Sequence, residues 1–174
     1  GVPDGHAQEK AATGPAGADA FYLQYGTIQG DCTAAGFAHQ IELNSFAFGV
    51  PRGITAAGGG VDREVAAPSI SEISITKMLD SSSPKLFQES VVGEGQTVVI
   101  SFVKFSSTGA DTYLKVTLNN TMVSSFAVSS GGDRPTESLT LNFTKITLAY
   151  ENSSPDGTAA ITTVGYALAL ARAF

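Results

Sequence analysis

The sequence predicts a mainly β protein of about seven or more antiparallel strands with one short flanking helix. Seven segments are rich in β-branched, aromatic and aliphatic residues and are bounded by turn-forming residues, which is the pattern of strands. One further segment, SSSPKLFQESVVG, carries helix signals, and the 174 residues suit a single domain. The predicted strand segments are AFYLQYGTI, HQIELNSFAFGV, SISEISITKML, QTVVISFVKF, TYLKVTLNNTMVSSFAV, SLTLNFTKITLAY and ITTVGYALALARAF.

The predicted helix covers residues 82–92. Ser82 or Ser83 can cap its free amides, the proline that follows suits the first helical position, and Gly93 suits the end. Phe87 and Val91 are four residues apart and therefore share one side of a helix. We expect these two side chains to face a core.

Several strand segments change the face on which their apolar residues lie. In SLTLNFTKITLAY the apolar positions are odd-numbered from Leu139 to Phe143 and even-numbered from Ile146 to Tyr150. Alternate side chains on a strand point to opposite faces, so the two halves bury opposite faces unless a bulge shifts them. The same change occurs within residues 41–50 and 98–105. The alternatives are a bulge in each strand, or a small barrel whose outer wall packs against another subunit.

Two segments differ from the strands in composition. Residues 1–19 are rich in Ala, Gly and Pro, which predicts an extended or flexible arm before a domain over residues 20–174. Residues 50–68 form a Gly- and Ala-rich loop that is too long for a hairpin turn, and such loops are usually functional or disordered. Position 1 is Gly, which leaves open a longer precursor, including one with a signal peptide.

The last strand segment alternates large and small side chains. Its small face carries neither bulk nor charge, whereas strand positions that face water more often carry Thr, Lys or Glu. This pattern predicts close approach by a helix or by a neighbouring subunit. The predicted interface residues are Gly165, Ala167, Ala169 and Ala171.

Charge and length exclude two classes of partner. The formal net charge is −6 and the pI is about 4.7, so the chain lacks the basic surface that nucleic acids require. Its apolar runs are far shorter than the roughly 20 residues that span a bilayer, so we expect no membrane insertion.

The sequence offers little catalytic chemistry. The two histidines are His6, in the arm, and His39, which is better explained as a locally hydrogen-bonded residue at the start of a strand. One cysteine, Cys32, excludes an internal disulfide and cannot form a zinc site with two distant histidines. The glycine-rich stretches lack the spacing of phosphate-binding loops. We therefore expect no catalytic, metal or cofactor-binding residues and no enzymatic activity.

Three stretches together resemble a known family. IELNSFAFGV, EISITKMLDSSSPKLFQE and YLKVTLNNTMVSSFAVSSGGDRPTESLTLNFTKITLAY occur in the order and at the spacing of the haemolysin-coregulated proteins, Hcp, which form the tube of bacterial type VI secretion. The most specific features are ITKMLDSSSPKLF and the Gly-rich turn before DRPTESLTLNF. The resemblance covers nearly everything from Phe21 onward.

The resemblance implies a small β-barrel that assembles into hexameric rings stacked into a hollow tube. The implied partners are other copies of the chain, effector cargo in the lumen, and sheath or tip proteins. The implied location is the bacterial cytoplasm followed by secretion. The loop would mediate contacts between stacked rings through Pro51, Arg52, Gly53, Gly58, Gly59, Gly60, Asp62, Arg63 and Glu64.

Two alternatives stay open at this point. The first is an Hcp-like subunit of a free-standing extracellular tube or fibre, exported through a signal peptide and linked between subunits by the arm. The second is a monomeric binding module, for example for carbohydrate, that exposes Tyr22, Tyr25 and Tyr113.

Overall fold

The structure is a computed structural model that describes residues 19–55, 63–107, 109–153, 159–168 and 172–174. For Ser153 and Arg172 it describes the backbone alone. The predicted arm therefore lies outside the described residues, except for Asp19, which begins the first strand. The described residues form ten strands and one helix. Their bounds are β1 Asp19–Tyr25, β2 Ile41–Leu43, β3 Ser45–Ala47, β4 Ile73–Met78, α1 Ser83–Val92, β5 Gln96–Ser106, β6 Gly109–Ser129, β7 Thr136–Asn142, β8 Lys145–Ser153, β9 Ala159–Ala167 and β10 Arg172–Ala173.

The strands form two layers that share the long strand β6. In the first layer the strand order is β10-β9-β8-β6-β5-β1-β2, and in the second it is β3-β4-β7-β6. All the neighbouring pairs are antiparallel. The first part of β6 pairs with β5 and β8, and its last part pairs with β7. The predicted mainly β, Hcp-like fold with one helix is confirmed, although among the described strands the hydrogen-bonded ladder does not close.

The main hydrophobic core lies between the two layers and is closed on one side by α1. Side chains from both layers meet there, and Leu86 is the helix residue that enters it, with no exposed surface. Burial of these apolar surfaces is the main favourable contribution to folding. The fully or nearly fully buried residues include Leu23, Ile41, Ile73, Ile75, Ile100, Leu118, Leu139 and Leu141.

The changes of apolar face have two structural causes. Residues 138–150 are two strands, because β7 belongs to the second layer and β8 to the first. Residues 41–47 divide in the same way into β2 and β3 on either side of Asn44. In both places the chain crosses from one layer to the other, and both halves then face the same core. The interpretation of each of these two segments as one strand with two apolar faces is therefore wrong.

The third change of face is a β-bulge. The register of β5 against β6 shifts between Phe102 and Val103. Phe102 faces the main core, whereas Val103 and Phe105 enter a second, smaller cluster with Tyr22 and Cys32. The extra residue thus lets one strand contribute to two apolar clusters on opposite faces of the sheet.

The helix forms where the sequence predicts it but presents a different face to the core. Leu86 is fully buried, whereas Phe87 is 56% exposed and Val91 is 65% exposed, so the expectation that these two residues face a core is wrong. Gly93 follows the last helical residue, and its amide donates to the Glu89 carbonyl oxygen at 3.0 Å. A Cβ at Gly93 would lie 2.3 Å from that oxygen, so only glycine allows this contact without a shift.

The cap of α1 also differs from the prediction. The Ser82 side chain makes no capping bond to a helix amide. Instead a carboxylate oxygen of Asp80 accepts a hydrogen bond from the Ser82 amide at 2.9 Å, and the Ser83 hydroxyl oxygen accepts one from the Asp80 amide at 3.0 Å. The carboxylate at the helix start is favoured electrostatically by the helix dipole.

Candidate functional site

A buried ion pair fixes the junction between β4 and α1. Lys77 and Glu137 are directly opposite each other on β4 and β7, and neither side chain is exposed. The Lys77 ammonium group contacts the Glu137 carboxylate, lies 3.0 Å from the Asp80 carboxylate, and donates to the Ser83 hydroxyl at 3.2 Å. Lys77, Asp80 and Ser83 of this network all belong to the motif ITKMLDSSSPKLF. These contacts connect the start of the helix to β4 and β7.

The predicted stacking loop is an extension of the β3–β4 ladder. Beyond the sheet, the Ser71 amide donates to the Gly49 carbonyl oxygen at 2.9 Å, and the Ala66 amide donates to the Gly53 carbonyl oxygen at 2.8 Å. Ile54 and Val65 then form an antiparallel bridge. The segment predicted as a loop therefore continues the ladder in its described part, and the residues between its two sides, 56–62, lie outside the described residues. We call residues 49–55 and 63–71 the hairpin.

The predicted stacking residues divide into two groups. Five of them lie on the hairpin, and all five are exposed: Pro51, Arg52, Gly53, Arg63 and Glu64. The Arg52 guanidinium donates to the Ala66 carbonyl oxygen at 3.3 Å and so ties the two sides of the hairpin together. Gly58, Gly59, Gly60 and Asp62 lie outside the described residues.

The hairpin root borders an apolar groove with a volume of about 210 Å³. One side is formed by Phe48, Val50 and nearby residues of the hairpin root, and the other by β8 and β9. Val50 is 51% exposed and Val164 is 54% exposed, so the groove opens to the surface. Apolar surface of this kind is typical of a protein contact.

The outer face of the second layer is lined by small hydroxyl side chains. Two rows of paired residues cross the four strands, and they contain Ser, Thr and Ala alone. Glu72 lies at one margin, where its carboxylate accepts hydrogen bonds from the Ser124 hydroxyl and the Asn142 amide. The rows are Ala47, Ser74, Thr140 and Ser125, and Ser45, Thr76, Ser138 and Ala127. We call these eight residues the hydroxyl face.

The predicted interface on β9 is partly covered by the chain itself. The Phe174 ring lies over Gly165, where a Cβ would be only 2.2 Å from the ring, and the two residues exchange main-chain hydrogen bonds of 3.1 Å. The Lys145 ammonium group lies 4.2 Å from the centre of the same ring. Gly165 is therefore explained by contact with Phe174 of the same chain, without a neighbouring subunit. Ala167 is half-buried and pairs with β8, and Ala169 and Ala171 lie outside the described residues.

The tyrosines proposed for a binding module do not form an exposed platform. Tyr22 is 4% exposed and Tyr25 is not exposed at all, so that proposal is wrong for both residues. Burial raises the pKa of each to about 12, with smaller contributions from Cys32 at Tyr22 and from Glu89 at Tyr25. Tyr113 is half-buried and packs against the core.

Two features of these surfaces were missed at the sequence level. The hydroxyl face could have been found from the alternation of Ser and Thr with Ile and Leu in β4 and β7, which is the pattern of a half-buried sheet. The same alternation places Lys77 in phase with the buried Ile75, and Glu137 in phase with the buried Leu139, but that two charged residues on the core face pair with each other depends on the register of β4 and β7. No helix in the described part of the chain has the length and apolar character needed to cross a membrane.

Comparison with known proteins identifies the class. A family model described as "Type VI secretion system effector, Hcp" matches residues 22–150. The protein hcp1 of Pseudomonas aeruginosa is 32% identical over 92 residues, which are 51% of this chain and 57% of that relative. The match thus spans little more than half the length of the curated relative.

Solved structures share the fold. A structure described as a type six secretion system protein matches with a TM-score of 0.82 and 23% identity, covering 90% of this chain and all of that one. Hcp1 from Salmonella typhimurium matches with a TM-score of 0.72 and 20% identity over 90% of this chain and 99% of that one. The fold and the family match together define a type VI secretion protein. This chain belongs to the Hcp family.

Proposed function

We propose that the protein is a structural subunit that assembles into hexameric rings, which stack into the hollow tube of a type VI secretion system. Family membership supports this proposal, and the observation that carries it is the pair of specialised surfaces on one sheet. The hairpin extends from the β3–β4 ladder, and the hydroxyl face covers the outer side of the same layer. The proposal includes no catalysis, cofactor or metal, nor any binding of nucleic acid.

The hydroxyl face is suited to line the lumen. Its eight residues are short and uncharged, and six of them carry hydroxyl groups that can hydrogen-bond water. Electrostatic attraction needs charge on both surfaces, so a neutral wall would hold charged cargo weakly and let it pass. Effector proteins would be accommodated there, while sheath and tip proteins would contact other surfaces.

The remaining predicted surfaces would hold the tube together. The hairpin would contact the adjacent ring through the exposed residues from Pro51 to Gly53, Arg63 and Glu64, together with residues 58–60 and 62. The predicted interface residues Ala167, Ala169 and Ala171 would contribute to contacts between subunits, with Gly165 acting through the Phe174 ring that covers it.

Native mass spectrometry tests the ring. A hexamer of this chain has a mass of about 107 kDa, which is six times 17.9 kDa, and the proposal predicts this species at micromolar concentration. A protein that stays at 17.9 kDa at all concentrations would contradict the proposal. The alternative of a free-standing extracellular tube also predicts rings. It differs in that the arm, which lies outside the described residues, would make contacts between subunits.

A further inference from the structure

Helix α1 carries an exposed apolar surface that no described part of the chain covers. Phe87, Val91 and Val92 are 56%, 65% and 67% exposed. The Phe87 ring is held on one side by an edge contact with Phe126, with 5.9 Å between ring centres. Together with Pro84, these side chains form what we call the helix patch. Contiguous exposed apolar side chains of this kind are typical of a contact surface.

The hairpin carries a second exposed apolar surface. Ile54 and Val65 form a cross-strand pair and are 55% and 46% exposed. They line a shallow groove with Gly53, Thr55 and Ala66, which we call the hairpin patch. The backbone hydrogen bonds of the hairpin hold this pair in place, so its side chains are presented with little loss of entropy on binding.

These two patches lie at opposite ends of β4. The hairpin joins the strand before Ile73, and α1 follows it after Met78. Six residues of strand extend over about 20 Å, and the hairpin continues the ladder away from the helix. The hairpin patch of one copy therefore cannot reach its own helix patch. Two different surfaces at opposite ends of one subunit suit a head-to-tail contact between copies.

The charges beside the two patches are opposite. Lys85 is the charged residue that lines the helix patch, and Glu64 is the charged residue that lines the hairpin groove. Both are exposed, and neither forms an ion pair within the described residues. In such a contact the apolar surface supplies most of the affinity, and the pair of opposite charges favours one orientation and disfavours others.

We propose that the hairpin of one copy docks on α1 of a copy in the adjacent ring, with Ile54 and Val65 against Phe87 and Val91, and Glu64 paired with Lys85. This inference rests on the proposed function and adds to it the surface that receives the stacking hairpin. Each subunit then has one donor and one acceptor surface, so ring after ring can be added in the same orientation.

Charge reversal tests the pairing. Lys85→Glu and Glu64→Lys should each reduce the fraction of rings found in stacks about tenfold, because each places like charges together. The double variant Lys85→Glu with Glu64→Lys restores opposite charges and should restore stacking. The control Lys115→Glu changes an exposed lysine on β6 and should stack normally. A double variant that stacks no better than the single ones would overturn the pairing.

Cross-linking tests the contact independently of charge. In a Cys32→Ser background, Ile54→Cys with Phe87→Cys should give a ladder of covalent oligomers on mild oxidation. The control pair is Phe87→Cys with Lys115→Cys, since Lys115 is exposed on β6 and lines neither patch, and it should stay monomeric on a denaturing gel. Stacked rings without the ladder would overturn the docking inference and leave the proposed function standing. Absence of rings in the unmodified protein would contradict the proposed function itself.

Discussion

Lys77 and Glu137 pair directly across β4 and β7 with no exposed surface on either side chain. Taking two charges out of water is costly, and the attraction between them offsets that cost only while both are present. Within the described residues, one oxygen of the Glu137 carboxylate has no hydrogen-bond partner, so the pair depends mainly on its contact with Lys77. The network stabilises one orientation of the strand-to-helix junction.

Removing one member of the pair should destabilise the protein strongly. Glu137→Gln leaves the Lys77 charge buried without its main partner, and we expect a loss of about 3 to 5 kcal/mol in the free energy of unfolding. Denaturant unfolding measures this change. The exposed Glu94→Gln is the matched control and should change stability by less than about 0.5 kcal/mol. Lys77→Met with Glu137→Leu should recover most of the loss, and a double variant as unstable as the single one would contradict this account.

Gly165→Ala should displace the Phe174 ring. The new methyl group would lie 2.2 Å from the present position of that ring, so the ring and the short β10 pairing must move. We expect faster hydrogen exchange at the Gly165 amide, which now donates to the Phe174 carbonyl oxygen at 3.1 Å. Gly131→Ala is the control, since a Cβ there meets no atom within 4 Å. Equal exchange rates of the amide at position 165 in the two variants would show that the packing of the Phe174 ring does not depend on Gly165.

Stability should fall as pH rises above 10. Burial raises the pKa of Tyr25 from 10.0 to about 12. Between these values the unfolded chain loses its phenolic proton while the folded chain keeps it. The contribution of the protonated Tyr25 phenol to the free energy of unfolding is therefore complete below pH 10 and is lost as the pH passes 12. The loss is up to about 3 kcal/mol for this group. Tyr22, with a pKa of about 12, adds an effect of the same sign.

Two substitutions separate this effect from general alkaline damage. Tyr25→Phe keeps the ring and removes the titrating group, so the free energy of unfolding should fall less steeply with pH. Tyr150→Phe, at a tyrosine that is 51% exposed, is the control for removal of a phenolic hydroxyl group. If Tyr25→Phe has the same slope as the unmodified protein, Tyr25 does not keep its proton in the folded state.

Deleting residues 56–60, which lie outside the described residues, should leave rings intact and shorten the stacks. The deletion shortens the chain that connects Thr55 to Arg63 and removes no residue of the core. Ring mass and stack length, measured on the same preparation, separate the two effects. Replacing the five residues by a Ser/Gly stretch of equal length is the control for hairpin length. Full-length stacks after the deletion would contradict the stacking role of this segment.

Local patterns predicted the elements of this fold better than its surfaces. Alternation of apolar residues located the strands, and the serines and Gly93 located the helix, because both signals are local. The crossing between layers at Asn44 was not predictable, since a change of apolar face has the same appearance for a bulge and for a crossing. The exposed face of α1 was missed because Phe87 and Val91 have the spacing of a core face, and their burial depends on which strand lies beneath.

Electron microscopy of the purified protein at micromolar concentration tests the central claim most directly. We predict hexagonal rings with a central hole that stack end to end, with the hydroxyl face on the inner wall and the hairpin between adjacent rings. Single particles of the size of one chain, or rings whose inner wall is formed by β8 and β9, would contradict the account.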